Sequence, residues 1–205
     1  MKIIAVGMNY AAHNKELENT LLIPEEPVIF CKPDSALQKA HRPFFVPDFA
    51  EEFEYETEVV IRMCRQGRSI PERFAHRYYN AVTVGIDFTA RDLQRKLRAE
   101  GKPWELSKGF DNSAFVGEFI DIPEGKDIQD LHFHLDIDGK TVQKGWTGDM
   151  IFTADKIVSF VSRFLTVKVG DIIFTGTPAG VGKVSEGMFL EGYLEDKKLL
   201  DLRVK

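Results

Sequence analysis

The chain has 205 residues, a length that suits one sizeable domain, and we expect a single domain over residues 1–205. Its hydrophobic content of 43% and charged content of 29% are ordinary for a soluble globular protein. A net charge of -5 argues against a nucleic-acid-binding surface, and no apolar run approaches the about 20 residues that span a bilayer.

The N-terminus and the cysteines predict a cytoplasmic location. Lys2 leads directly into a short apolar run at residues 3–6 and then into polar residues, which is unlike a signal peptide. Cys31 and Cys64 lie in different segments without metal-ligand spacing. We therefore expect two free thiols in a reduced compartment.

The first third of the chain predicts short strands around one polar helical segment. Residues 1–6 are typical of a buried strand, residues 9–17 of a short polar helix, and residues 28–30 of a strand between loops. Residues 53–63 alternate between polar and apolar side chains, which predicts one continuous strand with two distinct faces.

The middle of the chain predicts two helices and a strand. Ser69 followed by Glu72 is a capping-box pattern, so we expect a helix that runs to about residue 80. Residues 82–86 are β-rich, and residues 90–100 form an amphipathic helix that ends at a glycine.

The second half is dominated by strands. Residues 131–137 alternate, and Asp138-Gly139 predicts a hairpin turn into a strand at residues 141–143. Residues 155–165 carry a helical apolar stripe. Further strands are predicted at residues 171–174, 189–193 and 199–204. Because the helices are few and short, we expect an α+β domain built on a mixed β-roll or β-sandwich.

Carboxylates are concentrated in two segments. On one strand, Glu54, Glu56 and Glu58 share a face, and Asp87 follows the next β-rich run. Like charges this close repel unless a cation lies between them, and Mg²⁺ prefers oxygen ligands. The alternative is a solvated strand edge, and for Glu54 we favour an exposed position.

Two further groups have side chains suited to catalysis. His13 and Glu16 lie three residues apart, so a carboxylate can orient an imidazole that acts as a general base; the alternative is a surface ion pair. Lys108 lies between aromatic residues, either as a desolvated cation facing an anionic substrate or as a surface lysine. His132 and His134 share a strand face without a third ligand, so ordinary sheet positions are favoured over a zinc site.

The glycine-rich segment at residues 175–183 is not a nucleotide-binding P-loop. Its spacing is one residue too long, and Val184 stands where Ser or Thr would bind the metal. A turn of this kind can still hold a carboxylate through backbone N–H groups.

Together these segments resemble the fumarylacetoacetate hydrolase family, in its small single-domain branch of acylpyruvate hydrolases and oxaloacetate decarboxylases. The resemblance covers nearly the whole chain, in the family's order. It is carried by VGMNYAAH from residue 6, FCKP from residue 30, ETE from residue 56, GIDFTARD from residue 85 with Gln94, WELSKGF from residue 104, DMIF from residue 149, and residues 170–182.

The resemblance implies a role for each matching residue. It implies a divalent cation, Mg²⁺ or Mn²⁺ with Ca²⁺ as a further choice, held by Glu56, Glu58 and Asp87. A water-activating dyad of His13 and Glu16 is implied above it, with Lys108 stabilising an enolate. The implied substrate-binding residues are Arg91, Gln94 and Thr177.

The resemblance also implies a homodimer with a mixed β-roll fold and a small 2-oxo acid as substrate. The implied reaction is cleavage of a C–C bond through a metal-stabilised enolate, as acylpyruvate hydrolysis or oxaloacetate decarboxylation. An isomerase, hydratase or tautomerase would use the same site without cleavage. A non-catalytic metal- or metabolite-binding protein is the alternative from another class; neither a nucleic-acid nor a membrane partner is expected.

Overall fold

A computed structural model describes residues 1–18, 23–39, 41–122 and 127–205 of the chain. Short strands alternate with loops and a few helices, as the composition of the predicted elements indicated. The strands are β1 (Ile3–Gly7), β2 (Val28–Lys32), β3 (Leu37–Lys39), β4 (Phe53–Tyr55), β5 (Thr57–Met63), β6 (Tyr79–Asp87), β7 (Thr89–Ala90), β8 (Ala114–Val116), β9 (Ile120–Asp121), β10 (His132–Ile137), β11 (Lys140–Trp146), β12 (Ile172–Phe174), β13 (Gly182–Lys183), β14 (Phe189–Leu194) and β15 (Lys197–Arg203).

The helices are short and lie around the sheets. They are α1 (Ala11–Glu18), α2 (Arg91–Ala99), α3 (Glu105–Lys108) and α4 (Ala154–Phe164), with 3-10 turns at Asp34–Ala36, Glu72–Arg77 and Thr147–Asp149. Helix α4 begins at Thr153, whose side chain accepts a hydrogen bond from the backbone N–H of Lys156. No helix among the described residues has the length and apolar character needed to cross a membrane.

The described strands form three sheets. The large sheet has the order β2-β1-β12-β5-β6-β8-β3, with β9 also paired to β6. A second sheet has the order β11-β10-β14-β15, and a third the order β13-β4-β7. Parallel pairs (β1 with β12, β3 with β8) occur beside antiparallel ones, so the large sheet is mixed. The predicted α+β class with a mixed sheet is confirmed.

The core lies on both faces of β5 and β6, at the centre of the large sheet. One apolar cluster joins these strands to α4, and another lies between them and the second sheet. In the second cluster the rings of Phe44 and Phe88 stack with centroids 3.8 Å apart. This burial fixes the end of β6, where Asp87 lies, on a rigid support.

Most elements lie where the sequence predicted them, but two predictions were wrong. The capping-box helix to residue 80 is only the 3-10 turn Glu72–Arg77, and Tyr79 already belongs to β6. Ser69 does not cap it; its backbone N–H donates to the Ser162 carbonyl, and the neighbouring N–H of Ile70 donates to Ser162 Oγ. Tertiary hydrogen bonds to α4 thus replaced the local cap.

The second wrong prediction is the continuous strand over residues 53–63. The chain leaves the third sheet after Tyr55 and enters the large sheet at Thr57, with Glu56 between them. β5 is buried on both faces and β4 is largely buried, so side-chain periodicity alone does not reveal a change of sheet.

Gly85 allows the central strands to pack closely, and we expect Gly85→Ala to destabilise the fold. A Cβ atom there would lie 2.7 Å from Val60 Cγ2 and 2.8 Å from the backbone oxygen of Phe115. Because a backbone atom cannot move aside cheaply, the free energy of unfolding should fall by about 1–3 kcal/mol. Urea denaturation measures the change, with the exposed Asn80→Ala on the same strand as control; equal stability of the two variants would contradict the packing argument.

Candidate metal centre and active site

Three carboxylates predicted from separate segments converge in the structure. Glu56, Glu58 and Asp87 each place a carboxylate oxygen so that the three oxygens lie within 4.8 Å of one another. All three side chains are buried. They meet because Glu56 and Glu58 flank the start of β5, while Asp87 ends β6, the strand paired with it. The predicted convergence is therefore present in the fold.

Two buried lysines form ion pairs with the carboxylate cluster. Lys108 Nζ donates to Glu56 Oε2 at 2.6 Å, to Asp87 Oδ2 at 2.9 Å and to Thr89 Oγ1 at 2.7 Å. Lys32 Nζ lies 2.6 Å from the other oxygen of Asp87 and donates to Ser113 Oγ at 3.0 Å. Lys108 is thus a buried cation in contact with two of the carboxylates and not a surface lysine.

Arg91 links the cluster to helix α2. Its Nη2 donates to Glu56 Oε1 at 2.5 Å, its Nε to Glu54 Oε2 at 2.6 Å, and its Nη1 to Gln94 Oε1 at 2.6 Å. The preference for an exposed Glu54 was therefore wrong: only 13% of its side chain is exposed, because it pairs with the guanidinium. A carboxylate at each end of the guanidinium fixes Arg91 in one orientation.

The carboxylates differ in how their charge is balanced. Burial by itself raises the pKa of Glu56, but Lys108 and Arg91 outweigh it and hold the pKa well below its usual range. Burial, reinforced by the negative charges of Asp87 and Glu56, raises the pKa of Glu58 well above its usual range. Glu58 is therefore the carboxylate with the least compensation.

This imbalance shows that the residues fit a divalent cation. In the described part of the site, the carboxylates of Glu54, Glu56, Glu58 and Asp87 outnumber the cationic side chains of Lys32, Arg91 and Lys108 by one. Hard oxygen donors in a buried cluster are the ligand set that Mg²⁺, Mn²⁺ or Ca²⁺ takes. A cation at Glu58 would supply the charge that no side chain there provides.

The loop after β12 holds Glu58 in place. The backbone N–H of Gly176 donates to Glu58 Oε2 at 2.6 Å. Gly176 has a φ of +105°, and a Cβ there would lie 2.7 Å from Asn9 Cβ, so only glycine suits the position. Asn9 in turn donates from Nδ2 to the Thr175 carbonyl at 2.7 Å. This buried asparagine joins the start of α1 to the loop.

His13 and Glu16 lie at the entrance to the same site. Helix α1 brings His13 into the cavity, where the side chain is only 6% exposed, while Glu16 is 39% exposed. Nδ1 of His13 lies 3.5 Å from Glu16 Oε2, too far for a direct hydrogen bond. Glu16 is held from the other side by the backbone N–H of Gly180 at 3.1 Å. Burial lowers the pKa of His13, so the imidazole is neutral near pH 7 and able to accept a proton.

A small cavity joins these groups. It is lined by the three carboxylates, His13, Lys108, the predicted substrate-binding residues and an aromatic wall of Phe30 and Trp104. The volume open to the centres of water molecules is about 40 Å³, which is enough to admit water. The structure thus brings every predicted site residue to one place, namely His13, Glu16, Glu56, Glu58, Asp87, Arg91, Gln94, Lys108 and Thr177.

Sequence reasoning missed several residues of the site. Lys32 was part of a matched motif but received no role, although its fully buried ammonium group contacts Asp87. Thr89 and Asn9 were likewise unassigned. A lysine inside an apolar strand pattern is the signal that would have indicated Lys32, because such a residue is rarely buried without a partner. His132 and His134 stack on Trp146 and Tyr193, as ordinary sheet residues do.

Comparisons with known proteins relate the chain to one enzyme family. The family model described as fumarylacetoacetate (FAA) hydrolase C-terminal matches residues 2–203. A protein of Arabidopsis thaliana named oxaloacetate tautomerase FAHD1, mitochondrial, is 39% identical over 91% of this chain and 82% of its own length. A Dictyostelium discoideum protein named oxaloacetate decarboxylase, mitochondrial, is 38% identical over 93% of this chain and 87% of its own.

One of the similar solved structures contains a metal ion and a small 2-oxo acid. The crystal structure of fumarylpyruvate hydrolase from Pseudomonas aeruginosa, in complex with Mn²⁺ and pyruvate, is 33% identical and superposes with a TM-score of 0.93 over 100% of this chain and 89% of its own. The chain belongs to the fumarylacetoacetate hydrolase family. The predictions of this family, of a metal-dependent enzyme and of a divalent cation as cofactor are confirmed.

We expect Glu58→Gln to change stability in opposite directions with and without metal. Folding raises the pKa of the Glu58 carboxyl, so the folded state loses stability as the pH rises from the pKa of the unfolded chain to the pKa of the folded protein. The neutral amide of Gln avoids this loss, and it should raise the thermal midpoint of the metal-free protein at mildly alkaline pH. Added Mn²⁺ should stabilise the wild type and leave the variant unchanged.

Thermal unfolding in chelator and in Mn²⁺, at mildly acidic and mildly alkaline pH, measures both effects. Glu186→Gln removes an exposed carboxylate and should behave as the wild type does. Equal stabilisation of the Glu58 variant by Mn²⁺ would remove Glu58 from the set of metal ligands.

Proposed function

We propose that this chain cleaves a C–C bond in a small 2-oxo acid, as an oxaloacetate decarboxylase or an acylpyruvate hydrolase. The observation that carries the proposal is the convergence of Glu56, Glu58 and Asp87 with Lys108 and His13 in one cavity. A binding protein would need the carboxylates alone; a buried lysine and a neutral imidazole in the same cavity are the groups that acid–base chemistry requires.

The charges of the site suit an anionic substrate. Glu56, Glu58 and Asp87 would hold the divalent cation, which when bound polarises the keto group of a 2-oxo acid as a Lewis acid. With the cation in place the site carries net positive charge, which the carboxylate of the substrate would neutralise. Arg91 orients Gln94, whose amide nitrogen is left to donate to a substrate oxygen. Thr177 lines the same cavity.

Lys108 stabilises negative charge that develops on the substrate. When the bond beyond C3 breaks, electrons move toward the keto oxygen and leave an enolate of the 2-oxo acid. Asp87 and Glu56 raise the pKa of Lys108 despite its burial, so the ammonium group stays charged throughout the reaction. Its three N–H groups donate to Glu56, Asp87 and Thr89, so Lys108 would act on the oxyanion through its fixed positive charge.

Of the two reactions, only hydrolysis would need His13. Hydrolysis of an acylpyruvate needs a water molecule that attacks the distal carbonyl, and the neutral imidazole of His13 would accept its proton. Glu16, held by Gly180, would orient the ring as the pair closes from 3.5 Å. Decarboxylation of oxaloacetate needs no such water, because CO₂ leaves directly.

A tautomerase is the second candidate, and relatives favour it specifically. The Arabidopsis relative carries the name of an oxaloacetate tautomerase, as does a Mus musculus protein that is 36% identical over 99% of this chain. Moving a proton between C3 and the keto oxygen would use the same enolate without cleavage. His13 would then carry the proton between carbon and oxygen.

The proposed function is tested with purified protein and Mn²⁺ on acetylpyruvate, fumarylpyruvate and oxaloacetate. We expect turnover of at least one substrate that a chelator abolishes. On oxaloacetate, release of CO₂ identifies the decarboxylase, and loss of the enol signal without CO₂ identifies the tautomerase. Release of pyruvate and a carboxylic acid from acetylpyruvate or fumarylpyruvate identifies the hydrolase. Full activity in chelator would overturn a metal-dependent mechanism, and no turnover of any of the three would overturn the proposal.

His13→Ala separates the two cleavage reactions. Because only hydrolysis needs an activated water, the variant should lose about 10²–10⁴-fold in acylpyruvate hydrolysis and much less in oxaloacetate decarboxylation. Steady-state kinetics on both substrates measure the ratio. His41→Ala removes an exposed histidine that pairs with Asp201 on the surface and should change neither rate. Equal losses in the two reactions would argue against water activation by His13.

We propose a homodimer on the basis of exposed aromatic rings. Phe45 is 64% exposed and Phe49 48% exposed on the loop between β3 and β4, and a second copy would cover such rings in the proposed homodimer. Sedimentation velocity should give the mass of two chains; an active species with the mass of one would contradict it. The cytoplasmic location stays a prediction, since the named eukaryotic relatives are described as mitochondrial.

A further inference from the structure

Gln143 connects two parts of the site although it belongs to a sheet that supplies no carboxylate to it. It lies on β11 in the second sheet, and its side chain is buried, with 2% exposure. Its Oε1 accepts a hydrogen bond from the backbone N–H of Thr57 at 3.1 Å. Its Nε2 donates to Thr177 Oγ1 at 2.7 Å and to the Pro178 carbonyl at 2.8 Å.

The bond to Thr57 falls where the chain changes sheets. Thr57 separates Glu56 from Glu58, and the third sheet ends two residues before it. A buried backbone N–H needs an acceptor, and Gln143 provides it. The direction of both carboxylates depends on the backbone at this point, so Gln143 acts on the metal ligands without touching the metal.

The bond to Thr177 fixes what that residue offers to a substrate. Thr177 Oγ1 donates its proton to the Thr57 carbonyl at 2.9 Å and accepts from Gln143. A hydroxyl group has one proton, so Thr177 has none left to donate to a substrate oxygen. The hydroxyl therefore anchors the loop that carries Thr177.

Strand β11 also supports Gly180, the residue of the loop that contacts Glu16. A Cβ at Gly180 would lie 3.0 Å from the Val142 carbonyl oxygen and 3.4 Å from Gln143 Cγ, so the loop passes directly over β11. Gly180 has a φ of +99° and presents its N–H to Glu16. Displacing Gln143 would thus move the group that anchors Glu16 beside His13.

We propose that Gln143 is a positioning residue that holds the metal-ligand segment and the 177–180 loop at a fixed separation. For catalysis this inference rests on the proposed function, but its effect on binding does not. Gln143→Met keeps the shape and burial of the side chain and removes all three hydrogen bonds. Loss of such an outer partner typically lowers metal affinity or activity about 10–100-fold, and we expect this loss here.

The experiment measures binding as well as turnover. Calorimetry gives the affinity for Mn²⁺, then the affinity of Mn²⁺-loaded protein for pyruvate, well below the unfolding temperature of each variant. Gln129→Met is the matched control, because Gln129 also bridges two backbone groups: it donates to the Thr147 carbonyl at 3.0 Å and accepts from the Ala154 N–H at 2.8 Å. The control should lose stability without losing either affinity.

A double-mutant cycle tests whether Gln143 acts through the loop. Thr177→Val removes the hydroxyl and keeps the backbone N–H. If the two residues act as one unit, Gln143→Met combined with Thr177→Val should bind pyruvate no more weakly than the worse single variant. Additive losses would overturn the route through Thr177.

Two outcomes separate this inference from the proposed function. If folded Gln143→Met binds Mn²⁺ and pyruvate as the wild type does, or loses no more than Gln129→Met, the positioning role is refuted. If the wild type binds both ligands but turns over no substrate, the proposed function fails, and the role of Gln143 is decided by the two affinities alone.

Discussion

The burial of several carboxylates in one place is the constraint on which the rest of the site depends. Burying like charges is costly, and the fold offsets this cost with cations that reach the cluster from three different segments. Lys32 comes from β2, Arg91 from α2 and Lys108 from α3. None of these three cations balances the negative charge of Glu58, and this uncompensated charge favours binding of a divalent ion.

The same arrangement depends on the break between β4 and β5, where the chain passes from the third sheet to the large sheet. A ligand pair such as Glu56 and Glu58 on one straight strand would point in one direction only. Because the chain passes between sheets at Glu56, one carboxylate turns toward Arg91 and Lys108, and the other toward the Gly176 loop. The break in the strand thus spreads two adjacent ligands around one ion.

The pair His13 and Glu16, at the entrance to the cavity, is held less tightly than the carboxylate cluster beneath it. Lys108 and Arg91 make short contacts to buried carboxylates, whereas His13 and Glu16 are 3.5 Å apart, and Glu16 is partly exposed. A tightly held carboxylate cluster beside a more loosely held His13–Glu16 pair would allow one scaffold to support both hydrolysis, which needs water, and decarboxylation, which does not.

The sequence by itself determined most elements and pointed to the three carboxylates that converge in the structure, because both follow from local rules. Spacing of carboxylates, periodic apolar stripes and the Asp138-Gly139 turn act within a few residues. Only the tertiary structure decided the partners: Glu54 is paired and not exposed, Ser69 caps nothing, and Lys32 and Gln143 join the site from distant strands. These contacts link residues more than thirty positions apart, and burial against such partners overrides the local preference that a short pattern expresses.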